Sequence, residues 1–343
     1  MEKHRIAING FGRIGRMVFR NAIMDKSFKV VAINASYPPE TIAHLIKYDS
    51  THGRFEKEVK AHEDGIEVDG EFVQLIDQRN PEWLPWKDLE ADIVIEATGK
   101  FKTKETASLH LDAGARKVII TAPGKNIDGT FVIGVNEEDY HPDDDHVISN
   151  ASCTTNCLAP VVKVLDQHFG VENGLMTTVH AFTNDQNNID NPHKDLRRAR
   201  SCTQSIIPTS TGAAKAIGEV LPHLNGRLHG MALRVPTPNV SLVDLVVDIR
   251  KTATAEDINR AFQMEAEGRM KGILDYNEEP LVSIDYTTTS ASSIIDGLST
   301  IVLDENKVKV LAWYDNEWGY SCRVVDLAKY VGSRLANETI PSV

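Results

Sequence analysis

The 343-residue sequence predicts an α/β fold in two domains. Short apolar runs alternate with helical stretches through the first half, a pattern typical of a parallel sheet. Longer runs of alternating polarity follow and indicate an α+β domain with a mixed or antiparallel sheet. The chain is also longer than most single domains. We expect residues 1–150 and 151–318 to form the two domains, and a helix at 319–337 to return to the first.

A glycine motif, G-x-G-x-x-G, follows the first predicted strand, residues 5–9, and precedes a helix-like run to about Met24. In this context Gly10 permits a tight turn, Gly12 lets the backbone approach a pyrophosphate, and Gly15 lets helix and strand pack closely. The N–H groups at the helix N-terminus can then bind the phosphates. These features predict a Rossmann dinucleotide-binding domain.

The residue after the second predicted strand, 29–33, bears on the choice of dinucleotide. Sites for NAD usually place an Asp or Glu there, which binds both ribose hydroxyls. This chain has Asn34, followed by Ser36, and both can donate hydrogen bonds to a 2′-phosphate that a carboxylate would repel. The sequence therefore favours NADP. The alternative is an amide that still holds a ribose hydroxyl and keeps NAD.

The rest of the first half keeps the α/β pattern. Thr98, Gly99 and Thr121 fall at predicted strand ends, where the ligand crevice of a parallel sheet lies. The apolar runs, and the helical stretch among them, are 92–99, 104–114 (helical), 117–121, 130–136 and 147–149.

Residues 149–156 contain a candidate nucleophile, Cys153. A strand end precedes it, and apolar residues at helical spacing follow, with Pro160 expected in the first turn of that helix. Ser152 or a neighbour can act as the N-cap, which leaves Cys153 at the start of the helix. Free N–H groups and the helix dipole there favour the thiolate. A buried, inert cysteine is the alternative.

The second half supplies a histidine and groups suited to anions. An alternating run at 175–181 predicts a strand that carries His180. A polar segment, 183–208, predicts an ordered functional loop with an arginine cluster in it. Residues 209–215 start a helix with hydroxyl groups, which predicts an anion cradle at its N-terminus.

Two long runs, 228–235 and 240–249, predict a hairpin around 236–239, with Arg234 near its turn. Further predicted strands of this sheet are 293–303 and 308–314.

The composition disfavours several classes of function. Lys and Arg number 37 against 49 Asp and Glu, and the net charge of −12 disfavours general binding to nucleic acids or anionic membranes. We expect no membrane span and no signal peptide. The four cysteines are interpreted as free thiols in a reducing cytoplasm. Cys153 and Cys157 lie one helical turn apart, but we interpret no other Cys or His pair as part of a zinc site and expect no metal.

These groups narrow the chemistry. A cysteine that attacks an aldehyde forms a hemithioacetal, whose hydride can pass to a nicotinamide and leave a thioester. His180 is the best candidate to hold Cys153 as a thiolate and to carry the proton, although a lone histidine in a strand can also be structural. Groups that can bind the phosphates of a phosphorylated aldehyde and of incoming phosphate are Thr183, Thr211, Gly212 and Arg234.

Four motifs are specific enough to compare with known families: AINGFGRIGR at 7–16, ASCTTNC at 151–157, PHKDLRRAR at 192–200 and WYDNEWGY at 313–320. They resemble the phosphorylating glyceraldehyde-3-phosphate dehydrogenases, and the resemblance covers essentially the whole chain. It implies a homotetramer whose subunits have a Rossmann domain and a catalytic domain. It also implies that glyceraldehyde 3-phosphate, inorganic phosphate and NAD(P) interconvert with 1,3-bisphosphoglycerate.

The resemblance also implies roles for individual residues. Cys153 would be the nucleophile and His180 its activating base. The loop 187–200 resembles the S-shaped loop of the family, which reaches the cofactor of a neighbouring subunit. Substrate and phosphate positions are Ser152, Thr154, Thr183, Arg198, Thr211, Gly212 and Arg234. Cofactor positions are Arg13, Ile14, Arg79, Thr121 and Asn316.

Two positions depart from the NAD-using members of that family. Asn34 stands where they carry an acidic residue, and Asn191 stands where they usually carry leucine before Pro192. Asparagine is smaller than leucine and can donate to a phosphate. The chain therefore resembles the NADP-preferring, gluconeogenic bacterial branch, and NADP is the predicted cofactor, with NAD as the alternative.

Two other functions stay open at this point. An erythrose-4-phosphate dehydrogenase would share the cysteine motif, but the intact Thr183 and segment 209–212 favour the phosphorylating reaction. A catalytically silent dinucleotide-binding regulator is the alternative of another class. RNA binding through the arginines of 197–200 is disfavoured by the net acidity, and we interpret that cluster as a subunit interface.

Overall fold

The structure, a computed structural model, describes residues 3–335 and contains two large sheets. Its helices are α1 (Arg13–Ala22), α2 (Pro39–Lys47), α3 (Lys104–Ala107), α4 (Leu109–Asp112), α5 (Cys153–Phe169), α6 (Ala213–Val220), α7 (Ala255–Glu267) and α8 (Trp318–Gly332). Its strands are β1 (His4–Asn9), β2 (Phe28–Asn34), β3 (Tyr48–Asp49), β4 (Gly53–Arg54), β5 (Val59–His62), β6 (Gly65–Val68), β7 (Glu71–Ile76), β8 (Ile93–Glu96), β9 (Lys117–Ile120), β10 (Gly129–Thr130), β11 (Val147–Ser149), β12 (Val171–Ala181), β13 (Ile207–Ser210), β14 (Leu228–Val235), β15 (Ser241–Ile249), β16 (Leu274–Asn277), β17 (Ser293–Asp296), β18 (Ile301–Leu303) and β19 (Lys307–Tyr314).

Nine strands form the first sheet, in the order β10-β11-β9-β8-β1-β2-β7-β6-β5. Neighbouring strands are parallel from β10 to β7, while the β7-β6-β5 edge is antiparallel. Strand β1 lies between β2 and β8, so the strand order reverses at β1, and ligands of such sheets bind at the carboxyl end of this reversal. The predicted Rossmann fold is confirmed.

Strand β1 buries side chains on both faces of this sheet. Ile6 and Ile8 belong to a core that includes Phe19 of α1 and Val324 of α8, while Ala7 packs in a second core with Trp86. Burial on both faces explains why β1 is a near-continuous apolar run. The last described helix, α8, packs on α1 and so completes the core of the first sheet.

The glycine motif turns the chain from β1 into α1. Gly10 has a φ of +96°, and a Cβ at Gly15 would lie 2.2 Å from the carbonyl oxygen of Gly10. Gly10 therefore excludes larger residues because its φ is positive, and Gly15 excludes them because it packs closely on Gly10. A Cβ at Gly12, in contrast, would have no other atom within 4 Å, so the space in front of this residue is open.

The second sheet has the strand order β13-β14-β12-β15-β19-β17-β16, with β12 in its interior. Because β12 pairs in parallel with β14 and antiparallel with β15, it separates the two strands that the sequence predicted as a hairpin. That prediction is wrong. The connection crosses the end of β12, and Val240 adopts a φ of +64° on the way. The predicted mixed sheet is confirmed, and α5, α6 and α7 share its core.

Helix α5 begins at Cys153 and continues for 17 residues, so Pro160 lies in its interior and not, as expected, in its first turn. Proline there leaves the carbonyl oxygen of Asn156 without its usual donor, at a cost of about 3 kcal/mol. The helix persists because most of its apolar residues are fully buried, among them Leu158, Val161 and Leu165. Burial of several such side chains outweighs one lost hydrogen bond.

Three other segments differ from or refine the sequence predictions. The run at 130–136 is not a long strand, because the Asn136 side chain bonds the backbone of Thr130 and Val132 and closes a turn. Residues 209–210 belong to β13 and not to a helix, since they pair with β14. The stretch at 104–114 consists of α3 and α4. The end of the predicted helix 319–337 lies outside the described residues.

Candidate active site

The Sγ atom of Cys153 lies 3.5 Å from Nε2 of His180. Cys153 is the first residue of α5, and the hydroxyl of Ser152 caps this helix by accepting a hydrogen bond of 3.0 Å from the Thr155 N–H. His180 lies near the end of β12, an interior strand of the second sheet. The structure therefore brings together the two residues that the sequence singled out for catalysis.

Hydrogen bonding defines which nitrogen of His180 carries a proton. Nδ1 lies 2.6 Å from the carbonyl oxygen of Ala181, which can only accept, so Nδ1 donates. Nε2 consequently directs its lone pair at the sulfur of Cys153. Burial, together with the nearby Arg234 guanidinium, lowers the pKa of His180 to about 3. The imidazole is neutral and placed to accept the thiol proton.

The thiol of Cys153 is also affected by its surroundings. Burial raises its pKa, while the guanidinium of Arg234 and hydrogen bonds from Thr154 act to lower it. The sequence predicted a thiolate favoured by the helix N-terminus, but the net direction is upward, so the resting pair is a thiol beside a neutral imidazole. The motif could not reveal this, because burial depends on the packing of both domains around it. The helix N-terminus still stabilises the thiolate once a proton has left.

A buried tyrosine that the sequence analysis did not assign a role supports this pair. The Tyr314 ring contacts His180 edge-on, with ring centroids 6.0 Å apart. Its hydroxyl lies 2.9 Å from that of Thr154 and 2.8 Å from that of Thr178. Burial raises the pKa of Tyr314 well above its usual value, so it is a neutral hydrogen-bonding group. The hydroxyl of Thr154, predicted for substrate binding, is thus used in this buried cluster.

A second supporting residue, Ser241, was also missed. Its hydroxyl accepts a hydrogen bond of 3.1 Å from the N–H of Ala181 and donates one of 2.7 Å to Oδ1 of Asn316. Ala181 also supplies the carbonyl that orients His180. Asn316, a predicted cofactor residue, is therefore linked to His180 through the Ser241 hydroxyl and Ala181. Ser241 and Asn316 are 75 residues apart in the sequence, so a sequence motif cannot reveal their contact.

Arginines and hydroxyls form a polar cluster beside the pair. Arg234 donates to the hydroxyl of Thr183 at 2.9 Å and to the carbonyl of Ala181 at 3.1 Å. Arg198 donates to Asp185 at 2.5 Å, and the Thr183 hydroxyl also donates to Asp185. The predicted phosphate residues Thr183, Arg198 and Arg234 are thus brought together, with Asp185 as an unforeseen member.

The remaining predicted phosphate residues precede α6. Gly212 is the N-cap of α6 and offers no side chain to cap it, while the Thr211 hydroxyl accepts a hydrogen bond of 3.2 Å from the Ala213 N–H. A helix start of this kind suits an anion, because the N–H groups of its first turn have no partner within the helix.

The residues around the glycine motif fit a dinucleotide. The first turn of α1 has no acidic residue and no side-chain cap, and the space before Gly12 is open. These features suit a pyrophosphate at the helix N-terminus. Beside it, the guanidinium of Arg13 donates to Glu317 at 2.8 Å and also to Asp49, so this group is already bonded. The backbone of Arg13 and of Ile14 forms the first turn of α1, next to the open space at Gly12.

Asn34, at the end of β2, has its amide fully engaged. Nδ2 donates to Oδ1 of Asn9 at 2.6 Å and to the carbonyl of Gln78 at 2.7 Å, and Oδ1 accepts from the Gln78 N–H at 2.9 Å. Ser36 likewise donates to Asp77, at 2.7 Å. The hydrogen bonds to a 2′-phosphate that the sequence predicted are therefore not available from Asn34 and Ser36 in this conformation.

Three other predicted cofactor residues lie on different segments of the chain. Thr121, after β9, donates through its hydroxyl to the carbonyl of Glu96 at 3.1 Å. Arg79, after β7, is exposed next to Gln78. Asn191 is exposed on the loop 187–200, where its N–H donates to Ala199.

Among residues 3–335, no group of three or more His, Cys, Asp or Glu side chains could hold a metal ion. Within the same residues, no helix is both long enough and apolar enough to cross a membrane.

Comparison with known proteins assigns both parts of the chain to one set of families. The family model described as "Glyceraldehyde 3-phosphate dehydrogenase, NAD binding domain" matches residues 4–104, and that described as "Glyceraldehyde 3-phosphate dehydrogenase, C-terminal domain" matches residues 152–316. The chain is 65% identical over 333 residues to "Glyceraldehyde-3-phosphate dehydrogenase 2" of Bacillus subtilis (strain 168), covering 97% of this chain and 98% of that one. It is 60% identical over 334 residues to the protein of the same name from Staphylococcus aureus (strain MRSA252), covering 97% of each chain.

Proposed function

The chain belongs to the glyceraldehyde-3-phosphate dehydrogenase family and has its oxidoreductase activity, and we propose that it is an NADP-preferring, phosphorylating member that works through Cys153 and His180. The observation that carries the proposal is the 3.5 Å contact between the Cys153 sulfur and Nε2 of a neutral His180. A nucleophile paired with a base is what covalent attack on an aldehyde requires.

The first step is attack of the Cys153 sulfur on the aldehyde carbon. Nε2 of His180 accepts the thiol proton and returns it to the carbonyl oxygen, which gives a thiohemiacetal. The nicotinamide cofactor, when bound, supplies the hydride acceptor for this adduct. His180 takes the hydroxyl proton as hydride leaves, and a thioester remains on Cys153. Phosphate then attacks the thioester carbon, and His180 protonates the departing sulfur.

The polar cluster would hold the phosphate groups during these steps. Arg234 and Thr183 already share a hydrogen bond of 2.9 Å, and the guanidinium of Arg234 acts on both Cys153 and His180. We assign the phosphate of the substrate to this pair and to Arg198. The start of α6, with Thr211 and Gly212, and Ser152 are assigned to the incoming inorganic phosphate.

The preference for NADP rests on charge at the end of β2. The side-chain amide of Asn34 is already bonded to Asn9 and Gln78, so it does not donate to a 2′-phosphate. Asn34 favours this phosphate because it is neutral, whereas a carboxylate at the same position would repel it. Arg79 follows Gln78 and is exposed, so its guanidinium can approach a phosphate there. Asn191 would contribute only from the loop of a neighbouring subunit.

Initial rates with glyceraldehyde 3-phosphate, measured with NAD and with NADP and with and without inorganic phosphate, test this function. We expect a phosphate-dependent rate and a kcat/KM at least about tenfold higher for NADP, which corresponds to about 1.4 kcal/mol. Asn34→Asp should reverse the preference, and Ser36→Ala is its matched control. A higher kcat/KM for NAD would overturn the cofactor assignment. A rate indifferent to phosphate would favour hydrolysis and an erythrose-4-phosphate dehydrogenase.

We further propose that the protein is a homotetramer, because large apolar side chains are exposed on the second sheet and on the loop 187–200. Leu175 is 69% exposed on the face of the second sheet away from its helices, where it pairs in register with Val246. Leu196, in the loop 187–200, is 82% exposed. Apolar residues on such surfaces are typical of subunit interfaces. Sedimentation should give four times 38.0 kDa, and Leu175→Glu should produce smaller species; a monomeric parent protein would refute the proposal.

A further inference from the structure

The polar cluster contains a carboxylate where the phosphate of the substrate would be expected to bind. Asp185 accepts hydrogen bonds from the hydroxyl of Thr183 and from Arg198, the latter at 2.5 Å. Burial acts to raise the pKa of Asp185, but the Thr183 hydroxyl and the guanidinium groups of Arg198 and Arg234 lower it overall. Asp185 is therefore ionised, and it binds the same donors that are assigned to the phosphate of the substrate.

Among residues 3–335, no carboxylate forms an ion pair with Arg234, the most buried cation of the cluster. Arg234 donates through one nitrogen to two neutral oxygens, those of Ala181 and Thr183. Its Nε is buried and makes no hydrogen bond. A buried guanidinium with an unused donor is incompletely satisfied, and a dianion that bridged Arg234 and Thr183 would supply the missing acceptor.

Asp185 can leave this position without disrupting its neighbours. Its side chain is 43% exposed, so it can turn into solvent. Arg198 would keep a second carboxylate, Asp195 at 3.8 Å, and its hydrogen bond of 3.1 Å to the Thr209 hydroxyl. Asp195 is itself held by Thr209 at 2.8 Å. The arginine therefore stays in place when Asp185 moves.

We propose that the Asp185 carboxylate is an internal competitor for the phosphate of the substrate and thereby sets the affinity of this site for anions. This inference rests on the proposed function, which assigns Thr183, Arg198 and Arg234 to that phosphate. In the unliganded protein Asp185 satisfies Thr183 and Arg198. A phosphate dianion displaces it, because two negative charges interact more strongly with the two guanidinium groups than one does. If Asp185 stayed, it would repel the ligand.

The test is the binding of a phosphate group at this cluster of the full chain, probed with the phosphate ester glycerol 3-phosphate by titration calorimetry without cofactor, aldehyde or inorganic phosphate. Asp185→Asn keeps the shape of the side chain and removes its charge. We expect this variant to bind glycerol 3-phosphate about five- to tenfold more tightly and to show a correspondingly lower KM for glyceraldehyde 3-phosphate. Asp69→Asn is the matched control, since Asp69 is also 43% exposed, pairs with Lys57, and lies in another part of the chain. It should leave both values unchanged.

Weaker or unchanged binding of glycerol 3-phosphate in Asp185→Asn would overturn the inference, and weaker binding would mean that Asp185 positions Arg198 instead. Arg234→Gln separates this failure from failure of the proposed function. If glycerol 3-phosphate binds Arg234→Gln as tightly as the parent protein, the site assignment itself is wrong. If Arg234→Gln loses this binding while Asp185→Asn binds no more tightly, the site stands and only the competing role of Asp185 is refuted.

Discussion

Cys153→Ser is expected to lower kcat for oxidation of glyceraldehyde 3-phosphate by at least about 10³-fold. The hydroxyl occupies the position of the sulfur at the start of α5, but an alcohol loses its proton far less readily than a thiol, and a neutral His180 is too weak a base to compensate. Steady-state rates, and mass spectrometry of an acyl group on the intact chain, are the measurements.

Cys157→Ser is the matched control for this substitution. Cys157 lies one turn further along α5, where Ser293 and the carbonyl of Ala312 lie 3.5 and 3.8 Å from its sulfur. A serine hydroxyl can bond to these groups, so this variant should keep most of the activity. A Cys153→Ser enzyme that retains more than about a tenth of the parent rate would exclude the covalent mechanism.

His180→Asn is expected to lower kcat by about 10²- to 10⁴-fold, the usual contribution of a general base. Asparagine can still donate to the carbonyl of Ala181, as Nδ1 does, but it has no group that accepts a proton from Cys153. Alkylation of Cys153 by iodoacetamide should slow in parallel, because it needs the same proton transfer. Unchanged alkylation together with a lost kcat would place His180 in a later step than the attack.

The same variant should also be less sensitive to acid. His180 has a pKa of about 3 in the folded protein, below its ordinary value of 6.5, so the unfolded chain binds a proton between these limits while the folded chain does not. Stability is therefore present above pH 6.5 and is lost as the pH falls. Between pH 7 and pH 5 this loss is about 2 kcal/mol for the parent protein and absent for His180→Asn. Urea unfolding at both pH values measures it, and equal losses in the two proteins would contradict the assignment.

Local patterns were sufficient where the relevant contacts are local. The turn at Gly10, the cap at Ser152 and the position of Cys153 each depend on residues a few places apart, so their side-chain types define the geometry. The alternation of β12 likewise indicated the strand that carries His180. For these features the physical cause lies within one short segment.

Other features depend on contacts between distant segments and could not be predicted. The hairpin prediction failed because β12 inserts between β14 and β15, which local turn signals do not report. Tyr314 contacts His180, and Ser241 contacts the neighbouring Ala181, from strands far along the chain. The engagement of Asn34 with Gln78 also required the packing of β2 on β7. The type of each residue indicates which hydrogen bonds its side chain can form, but not which distant residue is its partner.

The packing of α8 on α1 has a consequence for when the protein folds during its synthesis. The core of the first sheet includes Val324 and Val331, which are among the last described residues to leave the ribosome. The second sheet also forms late, because β12 pairs with β15, and β15 pairs with β19 near the end of the described residues. Neither core can close until β19 and α8 have left the ribosome. Nascent chains that stop before α8 should therefore expose apolar surface and depend most on chaperones.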